Sequence, residues 1–401
     1  MTPARSSGPL DGLVVLDFTR VLSGPYCTML LADMGARVIK IEHPGRGDDT
    51  RAWGPPFLGA ESAYFLSINR NKESLTLDLK NPSAKTVLDG LLARADVLVE
   101  NFRPGTMQRL GLDYATLAAR HPRLVYCAIS GFGQTGPRRS QAGYDAVVQA
   151  EGGLMSITGD AGGPPFRLGV AISDIVSGMF AAQGIAMALL ARERTGRGQL
   201  VDVGMLDATA ALLTYQAAIS FATGVPPRRM GNRHPTIVPY ETFAAADGDV
   251  VIAVGNDDQW RRFCGVAQLG EVGNDPRFAT NRLRVENYAA LRPVLAGRLL
   301  ERTREVWLSE FRAAGVPCGA VRDVAEVLED PQLEDREMIA TVEHATLGAV
   351  QVLGVPIKLS ETAASIRTAP PTLGQHTDAI LRSDLGLSEA QVAELRANGT
   401  I

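Results

Sequence analysis

Histidine and cysteine are scarce in this chain, with 5 His and 4 Cys among 401 residues. Cys27, Cys127, Cys264 and Cys318 show no C-x-x-C spacing, which argues against a structural zinc site or a disulfide framework. Each sits in an apolar context and reads as a small buried side chain. His43, His121, His234, His344 and His376 form no H-x-x-x-H pair and no cluster with carboxylates, so no metal site is expected. G-x-S-x-G is absent, which removes the usual parts of a serine hydrolase. The first strand–helix junction reads TRVLSGP and not G-x-G-x-x-G, which disfavours a dinucleotide site. Excess positive charge is lacking too: the net charge of −4 argues against a nucleic-acid partner. No run reaches the roughly 18 apolar residues of a membrane span. The most apolar segment is interrupted by Ser177, Gln183 and Gly184. The stretch MTPARSSGPLDG has no apolar core of a secretory signal, and a cytoplasmic protein with no membrane partner is expected.

What is present is an ordinary globular composition, 45% hydrophobic and 21% charged, in a chain longer than one core usually serves. Two domains are expected. GLVVLDF (12–18) reads as a strand, GPYCTMLLADMGA as a helix stopped at Gly35, and RVIKIE (37–42) as a second strand. That makes one βαβ unit. The alternation continues. NPSAKTVLDGLLARA (81–95) reads as a helix with Asn81 as cap, followed by the strand DVLVENF (96–102). GLDYATLAARHP is a short helix and RLVYCAISGF (123–132) another strand. The pattern predicts an α/β fold with a Rossmann-like, doubly wound parallel sheet.

From about 205 the character changes. MLDATAALLTYQAAISFATG reads as one long apolar helix, and a Pro/Gly/Arg-rich stretch follows. An Asp-Gly turn at 247–248 between strand-like runs predicts a hairpin, with amphipathic helices over about 256–269 and 287–314. The expected division is a large Rossmann-like domain over 1–224, a small α/β domain over 225–325, and a C-terminal part, 326–401, returning to the large domain. Near the end, Ser388 followed by Gln391 has the spacing of a capping box.

Polar residues gather where strands end, the edge at which open α/β sheets bind ligands. Thr19, Arg20, His43, Asn101 and Arg103 lie there. Nearby basic residues include Lys40, Arg46, Arg51, Arg70, Lys72, Lys80 and Arg109. Most are expected to be solvated, with a subset suited to an anionic, phosphate-bearing ligand. If the protein is an enzyme, a carboxylate is the reactive group its composition favours. Asp174 stands at the start of a helical pattern, RLGVAISDIVSGMFAAQGIAMALL. A plain N-cap for a helix buried through Ile175, Met179, Ala182, Ile185 and Ala186 would explain it without chemistry.

The segments PLDGLVVLDFTRVLSGP, GARVIKIEHPGRGDDTR, NRNKESLTLDLK, DVLVENFRPGTMQRLG, SGFGQTGP, GYDAVVQAEGG, GVAISDIVSGM, RERTGRGQLVDVGMLDA and GQHTDAIL run in order over nearly the whole chain. Together they resemble the class III CoA-transferases, the CaiB/BaiF family of formyl-CoA and carnitine CoA-transferases, with α-methylacyl-CoA racemase as a cousin. The resemblance implies an interlocked homodimer and makes Asp174 the nucleophile. By motif position it also implies a CoA-binding set of Val21, Leu22, Ser23, His43, Leu77, Lys80, Asn101, Phe102, Arg109, Leu110, Tyr144, Asp145 and Met205. His43 departs from the family, which often has Arg there. No permanently bound cofactor is implied; CoA and its acyl thioesters are substrates, with a carboxylic acid as the second partner.

A carboxylate attacking a thioester would form a mixed anhydride that conserves the thioester's free energy. Racemisation is the alternative within the family, but it needs a base on each side of the α-carbon, and Tyr144 stands where the racemase has His. A CoA-binding protein without turnover and an acyl-CoA hydrolase also remain as readings. PPRRMGNRHPTIVPYETF departs from the formyl-CoA branch and resembles the succinyl-CoA-dependent branch. Arg228, Arg229, Arg233 and His234 could pair the second carboxylate of a short dicarboxylic acid, with Arg233 and His234 the named candidates.

Overall fold

The computed structural model describes residues 8–401. Two compact units emerge. One runs from the described N-terminus to Leu154 and takes in Arg167–Ala218 and Pro331–Ile401; the other comprises Met155–Phe166 and Ile219–Asp330. Composition carries no signal that 155–166 groups with the second unit.

The first unit is built on β1 (Val14–Asp17), β2 (Arg37–Glu42), β5 (Lys72–Thr76), β6 (Val97–Glu100), β7 (Val125–Ser130) and β8 (Leu200–Gly204). A two-residue pair, β3 (Phe57–Leu58) and β4 (Glu61–Ser62), lies between β2 and β5. The six longer strands form one parallel sheet in the order β5-β2-β1-β6-β7-β8. Alternate residues sort to its two faces. Leu16, Ile39, Leu98 and Tyr126 pack with Val87, Leu91 and Leu117. Val15, Val38, Val97 and Cys127 pack with Cys27 and Leu31 of the helix Ser23–Asp33 and with Ala181 and Ile185 of the helix Ile172–Thr195. Burial on both faces is why the strands read as continuous apolar runs.

Strand order reverses between β1 and β6, so the segments leaving their carboxyl ends flank a crevice. The opposite edge, β5, is covered by the C-terminal segment. His376 Nδ1 accepts the Ser74 N–H at 3.1 Å, and the Thr377 hydroxyl accepts the Thr76 N–H at 3.0 Å. Asn71, just before β5, bonds Ser365, Arg367 and Thr368. A hairpin of β12 (Ile339–His344) and β13 (Gly348–Leu353) also belongs to this unit.

In the second unit, β9 (Tyr240–Ala245) and β10 (Gly248–Ala253) form the hairpin expected at Asp247–Gly248, and β11 (Cys318–Ala320) pairs antiparallel with β10. Its core stacks Trp260 on Phe263, Phe263 on Phe311 and Trp307 on Phe311, with ring centroids 5.7, 5.1 and 5.3 Å apart.

Several expectations need correction. The helix expected over 81–95 is Ala84–Leu92, and the Asn81 side chain bonds the Ser83 N–H ahead of it and does not cap it. The long helix after 205 is two, Met205–Ala211 and Thr214–Thr223, broken where Thr214 takes φ 37°. The pattern over 287–314 divides into Tyr288–Leu299 and Arg304–Ala313. Cys318 is half-buried, unlike the other three cysteines. Lys40, Arg70 and Lys72 are buried in ion pairs and not solvated. Ile172–Thr195 is long and apolar enough to cross a membrane, with a mean hydropathy of 1.5 over its best window. Its Ala181, Ile185, Ala188 and Leu189 lie in the core of the sheet unit, as in a core helix. Ser388 and Gln391 do form a capping box.

Candidate active site

The loop that leaves β1 is held residue by residue. Lys40 Nζ donates to the Thr19 carbonyl at 2.8 Å. Asn101, at the end of β6, accepts the Arg20 N–H at 2.9 Å and donates to the Arg20 carbonyl at 2.7 Å. Asp48 accepts the Val21 N–H at 3.2 Å. Val21 has φ 70°, in the left-handed region that a β-branched side chain rarely adopts. Strain of this kind costs on the order of 1–3 kcal/mol and collects at functional sites. Two residues further, Ser23 opens the helix Ser23–Asp33 and shares a cavity wall with Asp174, where its hydroxyl favours the ionised carboxylate.

Asp174 is the third residue of the helix Ile172–Thr195 and not its cap; the N-cap is Ala171, which offers no side-chain bond. A carboxylate from another helix takes that role. Asp145, first residue of Asp145–Glu151, accepts the Ser173 N–H at 2.9 Å and the Gln149 amide at 2.7 Å. Met179, expected in the buried stripe, is instead exposed. Gly178 allows the two helices to approach closely, since a Cβ there would lie 2.6 Å from the Ser23 carbonyl oxygen. A second close approach, Gly143 against Gly131 at the end of β7, brings Tyr144 and Asp145 to the crevice.

Burial pushes the Asp174 carboxyl up to about 7, the Asp145 charge adds to the rise, and the Ser23 hydroxyl opposes it. The first-turn position therefore does not by itself keep the carboxylate ionised, because desolvation outweighs the helix terminus. Asp174 still ionises within the neutral range, as an attacking carboxylate must. Tyr64 lies close enough that Asp174 and Asp145 add to the burial that pushes its phenol up to about 12.

Two cavities flank the loop. The smaller, about 180 Å³, is walled by Val21, Ser23, Asn101, Phe102, Tyr144, Met205 and Asp174. The larger, about 590 Å³, has Lys40, His43, Leu77, Lys80, Phe102, Arg109 and Leu110 in its wall, with Arg46 as a further cation. Arg20, Phe102 and Arg103 line both. A ligand with an anionic head and a reactive tail could thus lie across the two. Among the expected residues, Leu22 is buried with Met29 and Ile68 and lines neither cavity. Asp145 acts behind the wall. Tyr64, Lys40 and Asp48 are contributions that motif reading did not single out, and Tyr64 carries no sequence signal at all.

Arg233 and His234 lie in the second unit and are described within it. The Arg233 guanidinium sits 3.5 Å over the Tyr288 ring. Its Nε is buried without a hydrogen bond, and no carboxylate lies within ion-pair distance among the described residues. Tyr288 and Arg292 both donate to Glu241 Oε2, at 3.0 and 3.1 Å. His234 stacks on Tyr240 at 5.2 Å, and burial holds its pKa down.

The sequence model of CoA-transferase family III matches residues 10–377. A succinyl-CoA:glutarate CoA-transferase of Mus musculus is 41% identical over 99% of this chain and 91% of its own length. An acetyl-CoA:oxalate CoA-transferase of Acetobacter aceti is 46% identical over 90% and 91%. The crystal structure of a CAIB/BAIF family protein from Brucella suis aligns with a TM-score of 0.84 at 41% identity, covering 94% of this chain and 100% of that one.

Proposed function

The chain belongs to CoA-transferase family III and is an enzyme that transfers CoA; from that premise we propose that it moves CoA from succinyl-CoA to a short dicarboxylic acid, with Asp174 as the covalent nucleophile. The observation that carries the reading is the Asp174 carboxylate itself, beside Ser23 in the wall of a cavity that shares lining residues with a larger, cation-lined one.

The ionised Asp174 oxygen adds to the thioester carbonyl, the C–S bond breaks with its electron pair on sulfur, and CoA leaves as thiolate. An aspartyl–acyl anhydride remains. The thiolate then attacks the aspartyl carbonyl of the anhydride and releases the donor acid as carboxylate. The resulting aspartyl-CoA thioester is attacked by the acceptor carboxylate, and CoA thiolate leaves again. It finally attacks the acceptor's acyl carbon, forming the new thioester and regenerating Asp174. No net proton is taken up or lost. Each step exchanges one activated acyl bond for another, the advantage of covalent catalysis, provided water is kept out. Val21, Ser23, Asn101, Tyr144 and Met205 would wall the reacting end, and Lys80, Arg103 and Arg109 would meet the phosphates.

Two relatives that act on glutarate and on oxalate support a dicarboxylic acceptor, and succinyl-CoA is the donor in the name of one. An unpaired Arg233 suits the distal carboxylate. The working form is an interlocked homodimer, supported by Met179, Met187 and Leu190, exposed at 52, 58 and 60% on one helix. Four unpaired cysteines suit a reducing compartment, and we assign the protein to the cytoplasm. The test is a matrix of acyl-CoA donors against free acids, read by mass spectrometry of the CoA products. Exchange confined to succinyl-CoA and short dicarboxylates is expected; preference for monocarboxylates would overturn the substrate assignment.

A further inference from the structure

We infer that Asp48 is a positioning residue for the transfer reaction: together with Lys40 it holds Val21 in its left-handed conformation and so sets the loop that presents Ser23 to Asp174. The inference rests on Asp174 as the reacting group.

The grip has three parts. Asp48 is 1% exposed, and one of its oxygens accepts from the Val21 N–H and from both the N–H and hydroxyl of Thr50, at 3.2, 3.0 and 2.8 Å. Its other oxygen lies 2.9 Å from Lys40 Nζ, whose side chain is fully buried. The same ammonium donates to the Thr19 carbonyl. The ion pair therefore takes hold of the main chain at two points, a carbonyl before Arg20 and an N–H after it. Asn101 brackets Arg20 between them.

Val21 is where this grip matters. With φ 70° it would relax toward negative φ if its N–H were released, since an L side chain branched at Cβ has no local preference for the left-handed region. Relaxation would rotate the peptide leading into Leu22 and Ser23, and Ser23 stands beside Asp174 in the same cavity wall. The Val21 side chain also packs against the cluster of Leu22, Met29 and Ile68, a contact that supplies no hydrogen-bond acceptor for its N–H. A buried ion pair is a weak source of stability, because desolvating both charges offsets their attraction. Its best use is to select one geometry, and the geometry selected here is a strained one beside the reacting carboxylate.

The experiment is a double-mutant cycle on kcat and KM for CoA exchange, using the full-length enzyme. Asp48→Asn keeps one acceptor, for Val21, but loses the charge paired with Lys40, and should lower kcat less than Asp48→Ala does. Asp48→Ala should lower kcat by about 10²-fold while KM for the acyl-CoA moves less. In a Val21→Gly background the same Asp48→Ala change should cost under about tenfold, because glycine takes positive φ without being held. An equal kcat penalty in the two backgrounds overturns the inference, as does an Asp48→Ala enzyme that loses thermal stability but keeps its kcat. Should Asp48→Ala leave Lys40 unpaired and fail to fold, Asp48→Leu with Lys40→Met removes acceptor and charge together, and the comparison with and without Val21→Gly is repeated. Hydroxylamine labelling of Asp174 in the unmutated enzyme tests the nucleophile separately, so a missing label and a missing 48–21 coupling are distinct results.

Discussion

The Asp145 carboxylate stands in two relations to Asp174: it accepts the N–H of Ser173, the residue just before it, at 2.9 Å, and its charge helps push the Asp174 pKa up. The same group thus fixes the helix start and sets the protonation of its reactive side chain. The two roles can be separated by substitution.

Asp145→Asn keeps an oxygen for the Ser173 N–H and removes the charge. The Asp174 pKa should fall, and the acidic limb of the kcat–pH profile should move to lower pH. Asp145→Ala also removes the bond, and should cost about 1 kcal/mol of stability as well, the usual worth of a lost helix cap. An unchanged acidic limb in Asp145→Asn would show that the two carboxylates do not interact.

Asp174→Asn preserves shape but has no anionic oxygen. Acyl exchange should fall by at least about 10³-fold. Acyl-CoA followed by hydroxylamine or borohydride should modify Asp174 and no other carboxylate in the unmutated enzyme. Exchange at the normal rate by a preparation of Asp174→Asn free of contaminating enzyme rules the nucleophile out.

The raised pKa of Asp174 has a sign for stability. Between the ordinary carboxylate value of 3.8 and about 7 the folded state binds the proton more tightly than the unfolded state. Its contribution to stability is therefore complete at low pH and is lost as pH rises through 7. Asp174→Asn removes the titration, so its melting temperature relative to the unmutated protein should climb across this window and level off above it. A gain on the order of a few degrees fits a chain of this size. Thermal melts at pH 5, 6, 7 and 8 decide it.

Arg233→Ala should raise KM for succinate about tenfold and leave butyrate unaffected, because only the dicarboxylate brings a second charge that needs a partner. Equal use of butyrate and succinate by the unmutated enzyme contradicts this.

Light scattering should find a dimer of 42.7 kDa chains at all concentrations where the protein stays folded. An interlocked pair would bury well beyond a standard interface of about 1,600 Å². A fully active species at the mass of one chain contradicts it.

Four of the six strands in the parallel sheet were legible as apolar runs, and β5 and β8 were not. β5 begins with Lys72, which reads as a surface charge yet is fully buried against Asp17 and Asn69. β8 is an edge strand whose centre is Asp202. In both, a polar residue hides the periodicity, and its partner is remote in sequence. The same reason separates the site residues. Asp174, Ser23 and Asn101 are carried by motifs. Lys40 and Asp48 look like ordinary loop and strand charges until the fold encloses them, and Tyr64 reaches Asp174 from a helix 110 positions earlier in the chain. Asp145 was legible as a neighbour of the reactive group but not as the cap of its helix, since that needs two helices placed against each other.

The closure of β5 by His376 and Thr377 sets an order of events during biosynthesis. On the ribosome, all six strands have emerged before the segment that covers the β5 edge has been made. Ile219–Asp330 is complete earlier, and its hairpin and stacked aromatic core depend on few later residues. The nascent chain therefore carries one finished unit and one sheet with a bare, hydrogen-bond-hungry edge, the kind of edge that pairs with other chains. A stop at codon 376, or shortly before it, removes both contacts and leaves that edge open for good. Such fragments would engage chaperones or aggregate while retaining every residue that lines the two cavities.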